Sequence, residues 1–113
     1  MHELSLTRNV VALVTERARQ RRVTQVRLRI GKLAGVEIEA VKFCFDVCTD
    51  GTTASGARLV IEEVPGRGEC ATCGASVPLA DLVGTCPTCE PRAPLRVVAG
   101  EELLVVDIEL EEE

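Results

Sequence analysis

Hydrophobic positions along this chain follow two periods. Between residues 5 and 20, Leu6, Val10, Leu13, Val14 and Ala18 recur at spacings of three and four, while Arg8, Glu16, Arg17 and Arg19 fall on the opposite side. This predicts an amphipathic helix, with Ser5 as its N-cap and Met1-His2-Glu3 exposed just ahead of it. Val26, Leu28 and Ile30 then alternate with Gln25, Arg27 and Arg29, the pattern of a half-buried strand. Gly31 to Gly35 reads as a turn. A second helix over 37–49 places Ile38, Val41, Phe45 and Cys48 on one stripe, and Gly51 is suited to its C-terminal cap. Residues 57–64 and 103–110 read as two more strands. In the last, Val106, Ile108 and Leu110 face in while Asp107 and Glu109 face out, an acidic side fit to lie beside Arg27 and Arg29.

Pro65-Gly66-Arg67-Gly68 interrupts this pattern and reads as a hinge. It leads into a segment without clear periodicity. The expected fold is α+β: a small three-stranded sheet with two helices, and an inserted four-cysteine, zinc-ribbon-like module. The main domain takes 1–64 and 101–113, and the insert takes 65–100.

The insert holds the clearest chemistry. Cys70-Ala-Thr-Cys73 and Cys86-Pro-Thr-Cys89 are two C-x-x-C knuckles on a short link. A gap of two residues lets both thiolates of a knuckle reach one ion, and the second knuckle fills the other two tetrahedral positions. Four thiolates favour Zn²⁺ over nickel, calcium or magnesium, and iron accepts the same ligand type. A site filled by four protein ligands is closed, hence structural. Two disulfides, or a thiol oxidoreductase using one C-x-x-C, are the competing readings. Cys44 and Cys48 lie outside the knuckles, at helical spacing, and read as small buried apolar residues.

Composition narrows the classes further. At 113 residues, with 46% apolar residues but only Phe43 and Phe45 aromatic, the core must rest on Val, Leu and Ile. A bound zinc would staple such a small chain. The net charge of −5 divides unevenly: residues 1–35 hold eight Lys/Arg against two Glu, and residues 36–113 hold five against sixteen acids. This acidity, without Trp or Tyr to stack on bases, argues against nucleic acid as the main partner. No basic lead with an apolar stretch opens the chain and no segment approaches a membrane span, so a cytoplasmic location away from membranes is expected. The lone histidine is terminal, which leaves no His–Ser or Cys–His pair, and no phosphate-cradling glycine loop is present; the chain is not expected to be an enzyme.

That histidine, His2, sits beside the N-terminal amine and the first backbone amides. Together they offer several nitrogen donors close in sequence, an arrangement suited to Ni²⁺ or Cu²⁺. His2 is bulky enough that Met1 should survive processing. Taken with the two late knuckles and a strand ending Ile30-Gly31, the opening Met1-His2-Glu3-Leu4-Ser5-Leu6 resembles the HypA family, the nickel metallochaperones of [NiFe]-hydrogenase maturation. The resemblance covers essentially the whole chain. It implies a transported nickel bound through His2, with Met1 contributing its amine and Glu3 its backbone nitrogen. It also implies a structural zinc on Cys70, Cys73, Cys86 and Cys89. The partners it implies are a HypB-type GTPase and the hydrogenase large-subunit precursor, with urease maturation proteins served in some organisms. A monomer or weak homodimer is expected. The alternative is a zinc-ribbon module that binds protein or nucleic acid, with His2 incidental.

Overall fold

The computed structural model describes residues 2–89 and 93–112, arranged as two helices and six strands in two compact units. In chain order these are α1 (Glu3–Ala18), β1 (Val23–Gly31), α2 (Ile38–Thr49), β2 (Arg58–Val64), β3 (Gly66–Cys70), β4 (Ser76–Leu79), β5 (Leu95–Ala99) and β6 (Leu103–Leu110). No helix among the described residues is long and apolar enough to cross a membrane.

The first unit takes Met1–Arg29, Val36–Glu62 and Leu104–Glu113. Its sheet has the order β2-β1-β6. Glu111 N–H bonds to Arg22 O, and the Thr24 hydroxyl bonds to Glu109 O. One number rises as the other falls, so β6 runs antiparallel to β1. The expected alternation on β1 is present: Val26 and Leu28 are buried, and Arg27 and Arg29 stand on the other face. There Arg29 and Arg27 both pair with Glu62 of β2, at 3.0 and 3.3 Å, and Arg27 reaches Asp107 of β6 at 3.5 Å. The acidic side of β6 thus meets Arg27, as its sequence suggested, while Arg29 turns to β2.

α1 differs from its sequence reading in start and in register. It begins at Glu3, not after Ser5, because Leu6 N–H closes the first turn on His2 O at 2.8 Å. Glu3 is therefore a buried helical residue, not part of an exposed lead. The buried stripe is Glu3, Thr7, Val11, Val14 and Ala18, whereas Leu13 is 42% exposed and Leu6 and Val10 are half-buried. Two polar members of this stripe are satisfied internally: the Thr7 hydroxyl donates to Glu3 O, and the Glu3 carboxylate accepts from Glu37 N–H. Buried polar groups are tolerated when paired in this way. On α2 the inward residues are Val41, Phe45 and Thr49; Cys44 and Cys48 are half-buried beside them. The helix ends at Thr49 with Asp50 as its C-cap, and Gly51 follows with φ +78°, the left-handed position glycine occupies without strain.

The second unit takes Ile30–Gly35 and Glu63–Leu103. The four-cysteine segment, expected as a zinc-ribbon-like module, forms its own three-stranded sheet, order β4-β3-β5, with both pairings antiparallel. The segment read as a hinge is the central strand of that sheet. Its glycines are there for close packing: a Cβ on Gly66 would strike Leu79 O and come within 2.7 Å of Leu33 Cδ1, and one on Gly68 would meet Leu79 Cδ1 at 2.7 Å. The turn after β1 is held within the same unit by Leu33 N–H to Gly100 O at 2.7 Å and Lys32 N–H to Val64 O at 2.8 Å.

Candidate metal centre

Each knuckle grows from a hydrogen-bonded loop. β3 ends in Cys70, whose N–H bonds to Ala75 O at 2.9 Å while Gly74 N–H returns to Cys70 O at 2.8 Å. Gly74 takes φ +74°, so the tight reversal places no Cβ in the disfavoured left-handed region. The second loop closes through Cys86 N–H to Ala93 O at 2.7 Å and Leu95 N–H to Gly84 O at 3.1 Å, and leads into β5. Since β3 and β5 pair directly, the two loops come together at one end of the sheet.

The four sulfurs meet. Cys70 Sγ lies 3.6 Å from Cys89 Sγ, Cys73 Sγ lies 3.7 Å from Cys86 Sγ, and all four fall within 4.8 Å of one another. Covalently bonded sulfurs would stand about 2.05 Å apart, so these are four free thiols rather than two disulfides. Four sulfurs at about 2.3 Å from a single ion occupy tetrahedral corners about 3.8 Å apart, so the cluster fits a tetrahedral thiophilic dication. Cys70 and Cys86 are buried, Cys89 is half-buried and Cys73 is exposed, so one side of the centre meets solvent.

The local electrostatics favour thiolates at the first cysteine of each knuckle. The backbone N–H groups of Cys73 and Thr72 hold Cys70 below the usual thiol range. Cys86 is drawn down to about 6 by the Thr88 hydroxyl and then by the Thr88 N–H. Cys89 is pushed up to about 12, first by Cys70 and next by Cys73, because a further negative charge has nowhere to spread in a crowded sulfur cluster. A bound dication would lift that barrier by neutralising the shared charge. Thr88, whose Oγ1 lies 3.2 Å from Cys86 Sγ, was not singled out from sequence. The signal was present, since threonine precedes the second cysteine in both knuckles.

At the other candidate site, His2 is the N-cap of α1, exposed and without a side-chain capping bond. Glu3 follows as the first helical residue, its Oε2 accepting from Glu37 N–H at 2.9 Å. Met1 lies outside the described residues. Two sequence-derived site residues are thus placed at the start of one helix. Glu37, which orients the Glu3 carboxylate, carried no sequence signal because it acts through its backbone.

The family model described as "Hydrogenase/urease nickel incorporation, metallochaperone, hypA" matches residues 1–110. Among relatives, the hydrogenase maturation factor HypA of Geobacter sulfurreducens is 51% identical over 111 residues, covering 98% of this chain and all of that protein. The protein of the same name from Trichodesmium erythraeum is 43% identical over 112 residues, covering 99% and 97%. The fold is similar to the solution structure of the Ni metallochaperone HypA from Helicobacter pylori, with TM-score 0.68 and 23% identity over the full length of both chains. A second solution structure of a HypA protein gives TM-score 0.72 at 23% identity, covering 100% of this chain and 98% of that one. The chain belongs to the HypA family, nickel-incorporation metallochaperones rather than enzymes.

Proposed function

We propose that this chain captures Ni²⁺ at its N-terminus and, with a HypB-type GTPase, passes it to the hydrogenase large-subunit precursor. His2 supplies the imidazole, Met1 its amine, and Glu3 its backbone nitrogen. The observation that carries the reading is the position of the only histidine: exposed, at the N-cap of α1, within a family-wide match that begins at residue 1. The positive end of a helix is an unfavourable place for a dication, and the acidic Glu3 in the first turn offsets part of that field. A site balanced in this way suits transfer, since the ion must leave as well as bind.

In the same reading Cys70, Cys73, Cys86 and Cys89 hold a structural Zn²⁺ that fixes the second unit. Four protein ligands close the tetrahedron, so this ion stays in place while nickel moves. The zinc supplies shape and takes no part in the transfer.

The test is a transfer assay with untagged chain, purified GTPase partner and large-subunit precursor. Nickel-loaded chain should raise the nickel content of the precursor above that reached with an equal amount of free nickel and chelator. Equal incorporation with and without the chain would contradict the proposal.

A further inference from the structure

We infer that the groove between α1 and α2 is the docking site for an amphipathic helical segment of a partner protein, one that carries a carboxylate beside its apolar face. The groove has a volume of about 370 Å³, and its walls include Leu4, Arg8, Ala12 and Thr15 from α1 and Val47 and Cys48 from α2. It belongs wholly to the first unit. Leu4, Arg8, Ala12 and Thr15 recur at spacings of four and three, so they form a continuous stripe beside the buried one. At 1.5 Å per residue that stripe is roughly 16 Å long, enough for about three turns of a docked helix.

Its chemistry is that of an interface. Leu4 is 42% exposed and Val47 56%, and Phe43, one turn before Val47 on the same side of α2, is 71% exposed. One of the two aromatic residues of the chain is thus held toward solvent, where an aromatic side chain is worth most as an anchor under a partner. Arg8 is exposed and, like Arg17, Arg19 and Arg58, has no hydrogen bond or ion pair among the described residues, and of these four it is the one that lines the groove. As the one charged side chain in a wall of apolar residues, Cys48 and the threonines Thr15 and Thr52, this guanidinium selects an occupant with a carboxylate and rejects one with a cation at that point. Leu4 is two residues from His2, so a segment seated in this groove lies next to the start of α1.

The inference rests on the metallochaperone reading for which partners to try, but not on where nickel binds. The probes are the purified GTPase partner and the purified large-subunit precursor, each titrated with full-length, zinc-loaded chain. Arg8→Glu and Val47→Asp should weaken binding of one of them by ~10-fold or more, whereas Arg58→Glu, an exposed site outside the groove, should leave it unchanged. Replacing the matching carboxylate of that partner with lysine should restore binding to Arg8→Glu. Saturating partner should also slow alkylation of Cys48, which lines the groove. Binding that survives both groove substitutions with Cys48 unprotected overturns the inference and leaves the nickel reading standing. Self-association in sedimentation that Val47→Asp abolishes, with partner binding intact, overturns the choice of occupant in favour of a second copy. If neither protein binds the wild-type chain, both the inference and the proposed partners fall. Nickel titration of the same variants keeps the two questions apart, since groove substitutions should leave nickel stoichiometry unchanged.

Discussion

The carboxylate of Glu3 accepts a hydrogen bond from the backbone N–H of Glu37 at 2.9 Å, so the first residue of α1 is fastened to the N-cap residue of α2. One side chain therefore serves two helix starts. It adds negative charge to the first turn of α1 and satisfies an amide at the N-terminus of α2. Glu3→Ala should lower the stability of the zinc-loaded protein by about 1.5–3 kcal/mol, the range for a hydrogen bond to a charged group. Glu3→Gln keeps an acceptor and should cost less. Chemical denaturation of both variants checks this, and equal stability of Glu3→Ala and wild type would refute it.

Gly66 stands where backbone and side chains leave no room. Its α-hydrogen faces Leu79 O, with Leu33 Cδ1 2.7 Å from where a Cβ would sit. Gly66→Ala should destabilise the protein by about 1–3 kcal/mol through overpacking. A flexible hinge would instead be stabilised by alanine, because the unfolded chain loses freedom. The sign of the change in thermal midpoint separates the two.

Cys73 is the exposed member of the sulfur cluster, so its removal leaves little core packing to blame. Cys73→Ala should reduce bound zinc from about one per chain to a small fraction, since structural sites need all four ligands. Amide exchange in β3 and β5 should quicken with it, as metal binding and folding are linked. Full zinc occupancy in the variant would rule out the four-thiolate assignment.

Glu62 has its carboxyl held below the ordinary glutamate value of 4.5, first by its hydrogen bond to Arg29 and next by that to Arg27. A depressed carboxyl stabilises the folded chain when ionised. Its contribution is complete above the unfolded value near 4.5 and is lost as pH falls through the lower folded value. Wild type should therefore exceed Glu62→Gln in stability at neutral pH, with the gap closing only in acid below that range. A gap that stays constant with pH would show that the carboxylate is not held by these arginines.

The central strand β1 was legible because its core-facing positions are apolar and the outward Arg27 and Arg29 are charged, whereas β2 and β6 mix Val60 and Val105 into the face that carries Glu62 and Asp107. Val26 and Leu28 against Arg27 and Arg29 leave no second register. α1 was legible as a helix but misleading in phase. Two of its five buried positions are Glu3 and Thr7, and a count of apolar residues passes over polar groups that pair internally. The strands β3 and β4 were hidden for another reason. Gly66, Gly68 and Pro78 are poor strand formers in isolation, and only the close approach of Leu79 and Leu33 makes glycine the residue that fits. The four cysteines were readable from spacing alone, because the chemistry that unites them needs those intervals. Thr88 and Glu37, which support the two sites, act through a hydroxyl and a backbone amide that many sequences would share.

The central claim is that nickel binds at the N-terminus through His2. The most direct measurement is a Ni²⁺ titration of untagged, zinc-loaded chain with its native Met1 amine, beside His2→Ala. One nickel site in the wild type, lost in His2→Ala with zinc content and thermal melt unchanged, is the predicted result. Nickel binding that persists undiminished in His2→Ala would contradict the account.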